Sequence, residues 1–183
     1  MTSVSGLEPG DKATDFTLRN ANLKVGPKSA TLADVVGDLG GVIVFTCNHC
    51  PYVVASEARI EAMAERCRSA GLGFVGINSN DPIVYANDDW DHMVDRANSM
   101  SYPYLHDSEQ IIAHAYGAQR TPEFYLLDAS SRIIYRGRMD DSPRDPTIVS
   151  MNELDDAVTA LITGETVKIS RTESIGCSVK WKK

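Results

Sequence analysis

The chain has 183 residues, of which 43% are hydrophobic, so it has about the length of one domain and enough apolar residues for one core. Its 18 Lys and Arg stand against 25 Asp and Glu, and the resulting net charge of -7 argues against nucleic acid and anionic membrane surfaces as partners. No apolar run approaches the length of a transmembrane helix, and the amino terminus lacks a signal-peptide pattern, which predicts a soluble, cytoplasmic protein.

The first half of the chain alternates between strand and helix patterns. An amino-terminal arm ends in the alternating DFTLRNAN, and residues 31–36, TLADVV, predict a short helical turn. Residues 40–46, GGVIVFT, are mostly β-branched or aromatic after two glycines, which is typical of a strand buried on both faces. Pro51 and Gly71 then bracket a predicted helix, because proline favours the first turn of a helix and glycine the position after its end.

Further elements are predicted in the second half. They are a strand over residues 72–80, a helix after an Asn87-Asp88 cap, a shorter helix over 108–117, and an antiparallel hairpin over 122–140 with its turn at Ala129 to Ser131. A last helix begins where Ser150 and Glu153 are spaced as a capping box, and Gly164 ends it. The order β-α-β-α-α-β-β-α predicts an α/β fold with a mixed central sheet flanked by helices, in a single domain over 1–183 with a tail over 165–183.

The acidic residues fit this arrangement without a catalytic or metal-binding role. Three adjacent pairs are spread along the chain: Asp88-Asp89, Asp140-Asp141 and Asp155-Asp156. We predict that all three pairs lie in solvated turns and at helix ends.

The chemistry suggested by the chain lies in Cys47-Asn48-His49-Cys50, between the predicted buried strand and the first long helix. Four cysteines without a signal peptide do not indicate a framework of structural disulfides, because cytosolic thiols are kept reduced. A helix amino terminus favours a thiolate, and a protonated His49 adds a positive charge, so a lowered cysteine pKa is expected. In this hypothesis Cys47 attacks a substrate disulfide, and Cys50 then attacks the mixed disulfide to release reduced substrate.

A second candidate feature is RTPEF, residues 120–124. Pro122 precedes the first strand of the predicted hairpin, and only X-Pro bonds adopt the cis form at low energetic cost. Thr121-Pro122 is therefore a candidate cis peptide beside the cysteine pair. The neighbouring Arg120 is equally consistent with steadying a thiolate or a peroxide and with a simple surface charge.

These features together resemble the redoxin branch of the thioredoxin-like superfamily. The segments that carry the resemblance, over nearly the whole chain, are ATDFTLRNAN…TLADV, FTCNHCPYV, GINSND, YLHD, YGAQRTPEFYLLD, YRGRMDD and GCSVKW. The resemblance implies a thioredoxin fold with a redoxin-type amino-terminal hairpin. It also implies that Cys47 is the attacking cysteine, that Cys50 is the resolving one, and that Pro122 is a cis-proline that docks extended substrate backbone.

The chain departs from the thioredoxin pattern at three points. Thr46 and His49 stand where thioredoxins usually have Trp and Pro. The strand VIVF offers no match to the buried Asp that accepts a proton in thioredoxin. Glu123 either takes that role or, as we favour, is a solvated carboxylate at the end of a strand.

The other cysteines and histidines do not suggest a metal site. A structural zinc site needs a second pair of ligands at comparable spacing, whereas these residues are single and scattered: Cys67, Cys177, His92, His106 and His114. We predict no metal and no other cofactor. Cys67 fits a small buried residue late in the first long helix. Cys177 lies in a flexible-looking tail, ESIGCSVKW, where it either resolves a mixed disulfide or packs with Trp181, and we slightly favour packing.

The sequence therefore favours a cytoplasmic thiol-disulfide oxidoreductase that uses a Cys47/Cys50 couple. Its expected partners are a disulfide-bearing protein or a small thiol substrate and a cellular thiol reductant, and the pattern indicates no oligomeric state. A thiol-dependent peroxidase with an antioxidant role is the second hypothesis, because a low-pKa thiolate reduces hydroperoxides through a sulfenic acid, although the peroxiredoxin signature Pro-x-x-x-Thr-x-x-Cys is missing. A non-catalytic module for metal binding or interaction is the third.

Overall fold

The computed structural model describes residues 6–183. Its strands are β1 (Thr17–Asn20), β2 (Ser29–Thr31), β3 (Gly40–Phe45), β4 (Gly73–Asn78), β5 (Tyr104–His106), β6 (Arg120–Thr121), β7 (Glu123–Asp128), β8 (Ile133–Gly137) and β9 (Cys177–Ser178). Seven of them form one mixed sheet in the order β2-β1-β5-β4-β3-β7-β8, and β6 pairs with β9 in a small second sheet. The amino-terminal hairpin implied by the resemblance is β1 with β2, which pair antiparallel.

The helices cover both faces of the large sheet. They are α1 (Leu32–Val35), α2 (Pro51–Ser69), α3 (Trp90–Ala97), α4 (Ile111–Tyr116) and α5 (Glu153–Thr163). The buried strand β3 shows how the two faces are separated, because alternate side chains of a strand point in opposite directions. Val42 and Val44 join the apolar cluster that contains residues of α2, α3 and α5, whereas Ile43 and Phe45 join the cluster that contains residues of α1 and α4.

The central position of β3 places its carboxyl end at the candidate site. All six residues of β3 are buried, and the strand pairs in parallel with β4 on one side and antiparallel with β7 on the other. The predicted strand over 40–46, the helix between Pro51 and Gly71 and the hairpin turn at 129–131 are confirmed. Within residues 6–183, no helix is both long enough and apolar enough to cross a bilayer.

Two predicted helix starts are wrong by one or a few residues. The cap of α3 is Asp89, whose side chain accepts from the His92 amide, and Asn87-Asp88 instead lies in a 3-10 turn. The shorter helix begins only at Ile111, because Gln110 has a left-handed backbone with φ of 62° that no α-helix continues. The prediction also missed β5, whose three residues are too few to show a period.

The capping box predicted for α5 is also wrong. Ser150 donates its hydroxyl to the Asp141 carboxylate instead of capping the helix, and α5 begins after Asn152. Glu153 is buried and forms an ion pair with Arg138, so its carboxylate does not reach back to the chain before the helix. Both side chains that the capping box requires are thus bound to residues elsewhere in the fold.

The acidic pairs are not uniformly solvated, contrary to the prediction. Asp89 and Asp141 are half-buried, and Asp88 and Asp140 are buried. Asp140 forms an ion pair with Arg59 and accepts from the Ser142 amide. Burial of a carboxylate is tolerated when charged or hydrogen-bonding partners satisfy it, and Asp88 accepts from Asn48, Asn78 and Asn80.

Candidate active site

The two close cysteines lie where the sheet meets the first long helix, as predicted. Cys47 lies two positions after the end of β3, and Cys50 is the N-cap residue of α2, with Pro51 in the first turn. Both side chains are buried: Cys47 is 1% exposed and Cys50 3% exposed. They form a small apolar cluster with Val53, against which Tyr52 and Cys177 pack.

Thr121 contacts both cysteines from the strand before the hairpin. Its hydroxyl oxygen lies 3.4 Å from the Cys47 sulfur, and its carbonyl oxygen accepts a hydrogen bond from the Cys50 thiol at 3.3 Å. The Thr121-Pro122 peptide bond is cis, which confirms that prediction. Residues more than seventy positions apart in sequence therefore meet at one sheet edge.

A buried carboxylate holds the loop between the two cysteines. Asp88 Oδ1 accepts from the backbone N–H of Asn48 at 2.9 Å and from the side chain of Asn78 at 3.0 Å, and its Oδ2 accepts from Asn80 at 2.9 Å. The Asn48 side chain in turn accepts from the Tyr104 hydroxyl at 2.6 Å. Sequence reasoning missed this network, although the polar run after β4 was a usable signal, because neighbouring parallel strands end at the same edge.

His49 is directed at Tyr85 and Asp88. Its ring stacks on the Tyr85 ring with centroids 4.2 Å apart, and its Nδ1 lies 3.5 Å from Asp88 Oδ2. The side chain is partly exposed, whereas the Asp88 carboxylate is fully buried. The influence of His49 on the cysteine thiols stays a prediction.

The two thiols ionise as a pair. The hydrogen bond from the Cys47 thiol, followed by those from the Cys177 thiol and the Val53 amide, lowers the pKa of Cys50 despite its burial. The same contact with Cys50, together with burial and the charge of Asp88, raises the pKa of Cys47. One proton is thus shared between two sulfurs, so that one thiolate forms easily and the second with difficulty. A lowered thiol pKa was predicted, and in this arrangement it falls on Cys50.

The paired ionisation predicts how stability depends on pH in the reduced protein. Because the pKa of Cys50 lies below that of an unfolded thiol, about 8.5, its contribution is present above that value and is lost as the pH falls through the folded pKa. The raised pKa of Cys47 contributes fully below about 8.5 and is lost only at higher pH. We therefore expect the free energy of unfolding, relative to the double variant Cys47→Ser/Cys50→Ser, to rise from acidic pH to about 8.5.

Urea titrations of both reduced proteins at several pH values measure this difference. An ultraviolet titration of the thiolate should show one thiolate already present at neutral pH. A difference in stability that is flat between acidic pH and about 8.5 would mean that neither thiol is shifted in the folded protein.

Glu123 is buried rather than solvated, which corrects the favoured interpretation. It is 2% exposed, accepts from Arg136 Nε at 2.9 Å and accepts from the Gln119 amide at 3.0 Å. Its carboxylate is engaged in an ion pair within the fold, so its predicted alternative role as a proton acceptor is not supported by a contact with either sulfur. Arg120 is exposed and donates to the Gly176 carbonyl at 3.1 Å.

The variant Glu123→Gln distinguishes a structural role of this carboxylate, as the partner of Arg136, from a role as proton acceptor for the thiols. We expect it to destabilise the protein by about 1–3 kcal/mol, because the buried Arg136 guanidinium loses a charged acceptor. The rate of disulfide exchange per folded molecule should stay within a factor of about two, since no sulfur contacts Glu123 and interactions away from the reacting atoms affect folding more than chemistry. Urea unfolding and single-turnover exchange measure both quantities. A slower exchange at unchanged stability would restore the proton-acceptor role.

The carboxyl-terminal segment is docked on the site, so the description of it as flexible was wrong. Strand β9 pairs antiparallel with β6, and this pairing puts Cys177 opposite Thr121. Trp181 stacks on His114, with ring centroids 4.2 Å apart, and packs against the cluster on the other sheet face, whereas Cys177 packs against the cysteine pair. Cys67 is fully buried in the core beside α5, as predicted for a small apolar residue.

Within the described part of the chain, no three His, Cys, Asp or Glu side chains are grouped so that they could hold a metal ion. The cysteines at the site lie together in one cluster: Cys47 and Cys50 are buried side by side, and Cys177 packs against them. This arrangement is suited to thiol-disulfide exchange, in which a thiolate must come into contact with a sulfur atom of the disulfide that it attacks.

Comparison with solved structures identifies the fold as thioredoxin-like. The chain is 37% identical to an uncharacterized conserved protein from Geobacillus kaustophilus, with a TM-score of 0.89 over 96% of this chain and 93% of that one. It is 16% identical to a secreted disulfide oxidoreductase of Mycobacterium tuberculosis homologous to E. coli DsbE, with a TM-score of 0.56 over 81% and 95%. It is 18% identical to the peroxidoxin BcpB of Mycobacterium tuberculosis, with a TM-score of 0.55 over 86% of this chain and 95% of that one.

Sequence comparison gives the family. No curated protein is significantly similar to the chain. The sequence model of the Redoxin family, however, matches residues 8–156, which include both sheet-edge cysteines, the cis-proline and most of the two core clusters. The chain therefore belongs to the Redoxin family.

Proposed function

We propose that this protein is a thiol-disulfide oxidoreductase that works through a Cys47–Cys50 dithiol-disulfide couple. The observation that carries the proposal is a pair of buried thiols that both contact Thr121 beside the end of β3. Membership of the Redoxin family and the similarity of the fold to a disulfide oxidoreductase support a redox activity. A structural role for the pair is less consistent with these contacts, because an isolated structural thiol needs no second thiol to stabilise its anion.

The position of the shared proton determines which sulfur attacks. When it resides on Cys50, that thiol donates to the Thr121 carbonyl, and the Thr121 hydroxyl can donate to a Cys47 thiolate. The Cys47 thiolate then attacks one sulfur of a substrate disulfide, and the other sulfur leaves as a thiolate that takes up a proton. Cys50 next attacks the Cys47 sulfur, which forms the Cys47–Cys50 disulfide and releases the second substrate thiol.

The partners in this proposal are a disulfide-bearing protein or small molecule and a cellular thiol reductant. The reductant returns the pair to the dithiol by the reverse exchange, so the protein carries two electrons from the reductant to the substrate. We propose that the protein works in the cytoplasm, because thiol reductants there return such a disulfide to the dithiol.

The test is equilibration of the purified protein with glutathione redox buffers, followed by mass mapping of the disulfide. We expect a reversible couple that joins Cys47 and Cys50, with a potential above about -270 mV because the pair contains a stabilised thiolate. Cys177→Ser is measured in parallel, so that a disulfide to Cys177 is not mistaken for the couple. Absence of a Cys47–Cys50 disulfide in both proteins would disprove the function.

A thiol peroxidase is the second candidate, favoured by the stabilised thiolate and by the similarity of the fold to a peroxidoxin. We expect the protein to consume hydrogen peroxide at about the rate of free cysteine. The Arg120 guanidinium donates to the Gly176 carbonyl, so it is not free to bind a peroxide beside the cysteine sulfurs. Consumption at more than about a hundred times that rate would replace the first proposal with this one.

A further inference from the structure

Residues 173–178, here called the strap, cross directly over the cysteine pair. The chain is fixed before the strap, where the Thr172 amide donates to the Arg136 carbonyl at 3.0 Å. It is fixed again after the strap, where the Val179 amide donates to the Gln119 carbonyl at 2.9 Å. The strap is therefore held at both ends and lies in a defined place.

Close backbone packing sets the position of the strap over Thr121. A Cβ atom added to Gly176 would lie 2.0 Å from the Thr121 carbonyl oxygen, so only glycine allows this approach. The next residue, Cys177, pairs with Thr121 and packs against the cluster of Cys47, Cys50 and Val53. The strap thus brings a third cysteine against Cys50, the N-cap residue of α2.

The exposure of the three thiols differs in a way that suits a relay. Cys47 and Cys50 are 1% and 3% exposed, and the strap contributes to their cover. Cys177 is only partly buried. A small thiol from solution therefore reaches the Cys177 sulfur more readily than either sulfur of the pair.

The charges around Cys177 also suit an exchange that follows oxidation of the pair. In the reduced state, burial and the hydrogen bond and charge of Cys50 raise the pKa of Cys177 to about 11, whereas Lys180 and Arg120 act to lower it. Once Cys50 is part of a disulfide, its charge is gone and the two cations remain. Oxidation of the pair therefore favours the Cys177 thiolate.

We propose that Cys177 is a third redox residue, which takes over the disulfide from the buried pair and presents it to a small thiol reductant. The Cys177 thiolate attacks the Cys50 sulfur of the Cys47–Cys50 disulfide, a Cys50–Cys177 bond forms, and Cys47 leaves as a thiolate that takes up a proton. A small thiol such as glutathione then attacks the Cys177 sulfur and releases Cys50. A second molecule of the thiol releases Cys177 as a thiol and leaves as part of the small-molecule disulfide.

This inference rests on the proposed function, and the variant Cys47→Ser tests it separately. Glutathione disulfide should modify Cys50 in that variant, and Cys177 should then displace the glutathione and form a Cys50–Cys177 disulfide. In Cys47→Ser/Cys177→Ser the glutathione adduct should persist roughly a hundredfold longer, since a tethered thiol acts at high effective concentration. Intact mass and non-reducing peptide mapping follow both species, and the fully buried Cys67 serves as an internal unreactive thiol.

Two further variants in the Cys47→Ser background test the role of the strap. Gly176→Val should displace the strap from Thr121 and make the adduct persist although Cys177 is present. Ser178→Ala, at an exposed strap position, should behave like Cys47→Ser alone. An adduct that lasts equally long with and without Cys177 would overturn the inference, while a Cys47–Cys50 couple in Cys177→Ser would show that the proposed function still stands.

Discussion

Replacing either Cys47 or Cys50 by serine, in a chain that also carries Cys177→Ser, is expected to lower the rate of disulfide reduction by roughly a thousandfold or more, because each residue supplies one sulfur of the couple. A serine hydroxyl is almost entirely protonated at neutral pH and forms no bond to sulfur that a thiol reductant reverses. The effect is measured as reduction of a model disulfide by the protein with glutathione as the electron source. The matched control is Cys67→Ala, which removes a thiol from the core and should retain the rate per folded molecule.

The single variants Cys47→Ser and Cys50→Ser, in which Cys177 is present, should also differ from each other. Cys50→Ser is expected to accumulate a mixed disulfide between Cys47 and the substrate, because the resolving sulfur of the pair is missing. Cys47→Ser should not accumulate such a species, since Cys177 lies next to Cys50. Equal losses in the serine variants and in Cys67→Ala would attribute the effect to folding, and retention of more than about a tenth of the rate by a serine variant that also lacks Cys177 would refute the couple.

The parts of the fold that the sequence predicts are those set by local rules. The run of β-branched residues in β3, the proline and glycine that bracket α2, and the turn between β7 and β8 each depend on neighbours within one element. Those predictions are confirmed. The capping box at Ser150 failed for a non-local reason, because Asp141 and Arg138 offered its side chains better partners.

The residues of the candidate site likewise fall into those that short local motifs predict and those that only distant contacts bring to the site. The cysteine pair and the cis-proline are visible in the sequence because each is a short motif at the boundary of an element. Asp88 contacts the cysteine loop from 40 residues away, and Cys177 pairs with Thr121 only through the docked strap. A single sequence without that geometry shows Asp88 as one of several acidic pairs. Glu123 looked solvated for the same reason, as its partner Arg136 is on the next strand.

Asp88→Ala is expected to destabilise the protein by about 3–5 kcal/mol, because three donors lose their acceptor in a buried place. The three are the Asn48 amide and the side chains of Asn78 and Asn80, and only the first belongs to the cysteine loop. The loop should therefore loosen as well, and alkylation of the cysteine pair should become faster than the change in stability alone explains. Urea unfolding and the rate of alkylation, both under reducing conditions, measure the two effects.

The control for Asp88→Ala is the same substitution at the next residue. The Asp89 side chain is 45% exposed, and its carboxylate caps α3 through the His92 amide without contacting the cysteine loop. Asp89→Ala changes the net charge equally, so any long-range electrostatic effect on the thiols should be similar, while the loop stays fixed. If both variants accelerate alkylation to the same extent, charge rather than the hydrogen bond to Asn48 controls the pair. If only Asp88→Ala does so, a buried carboxylate 40 positions away positions the reactive loop.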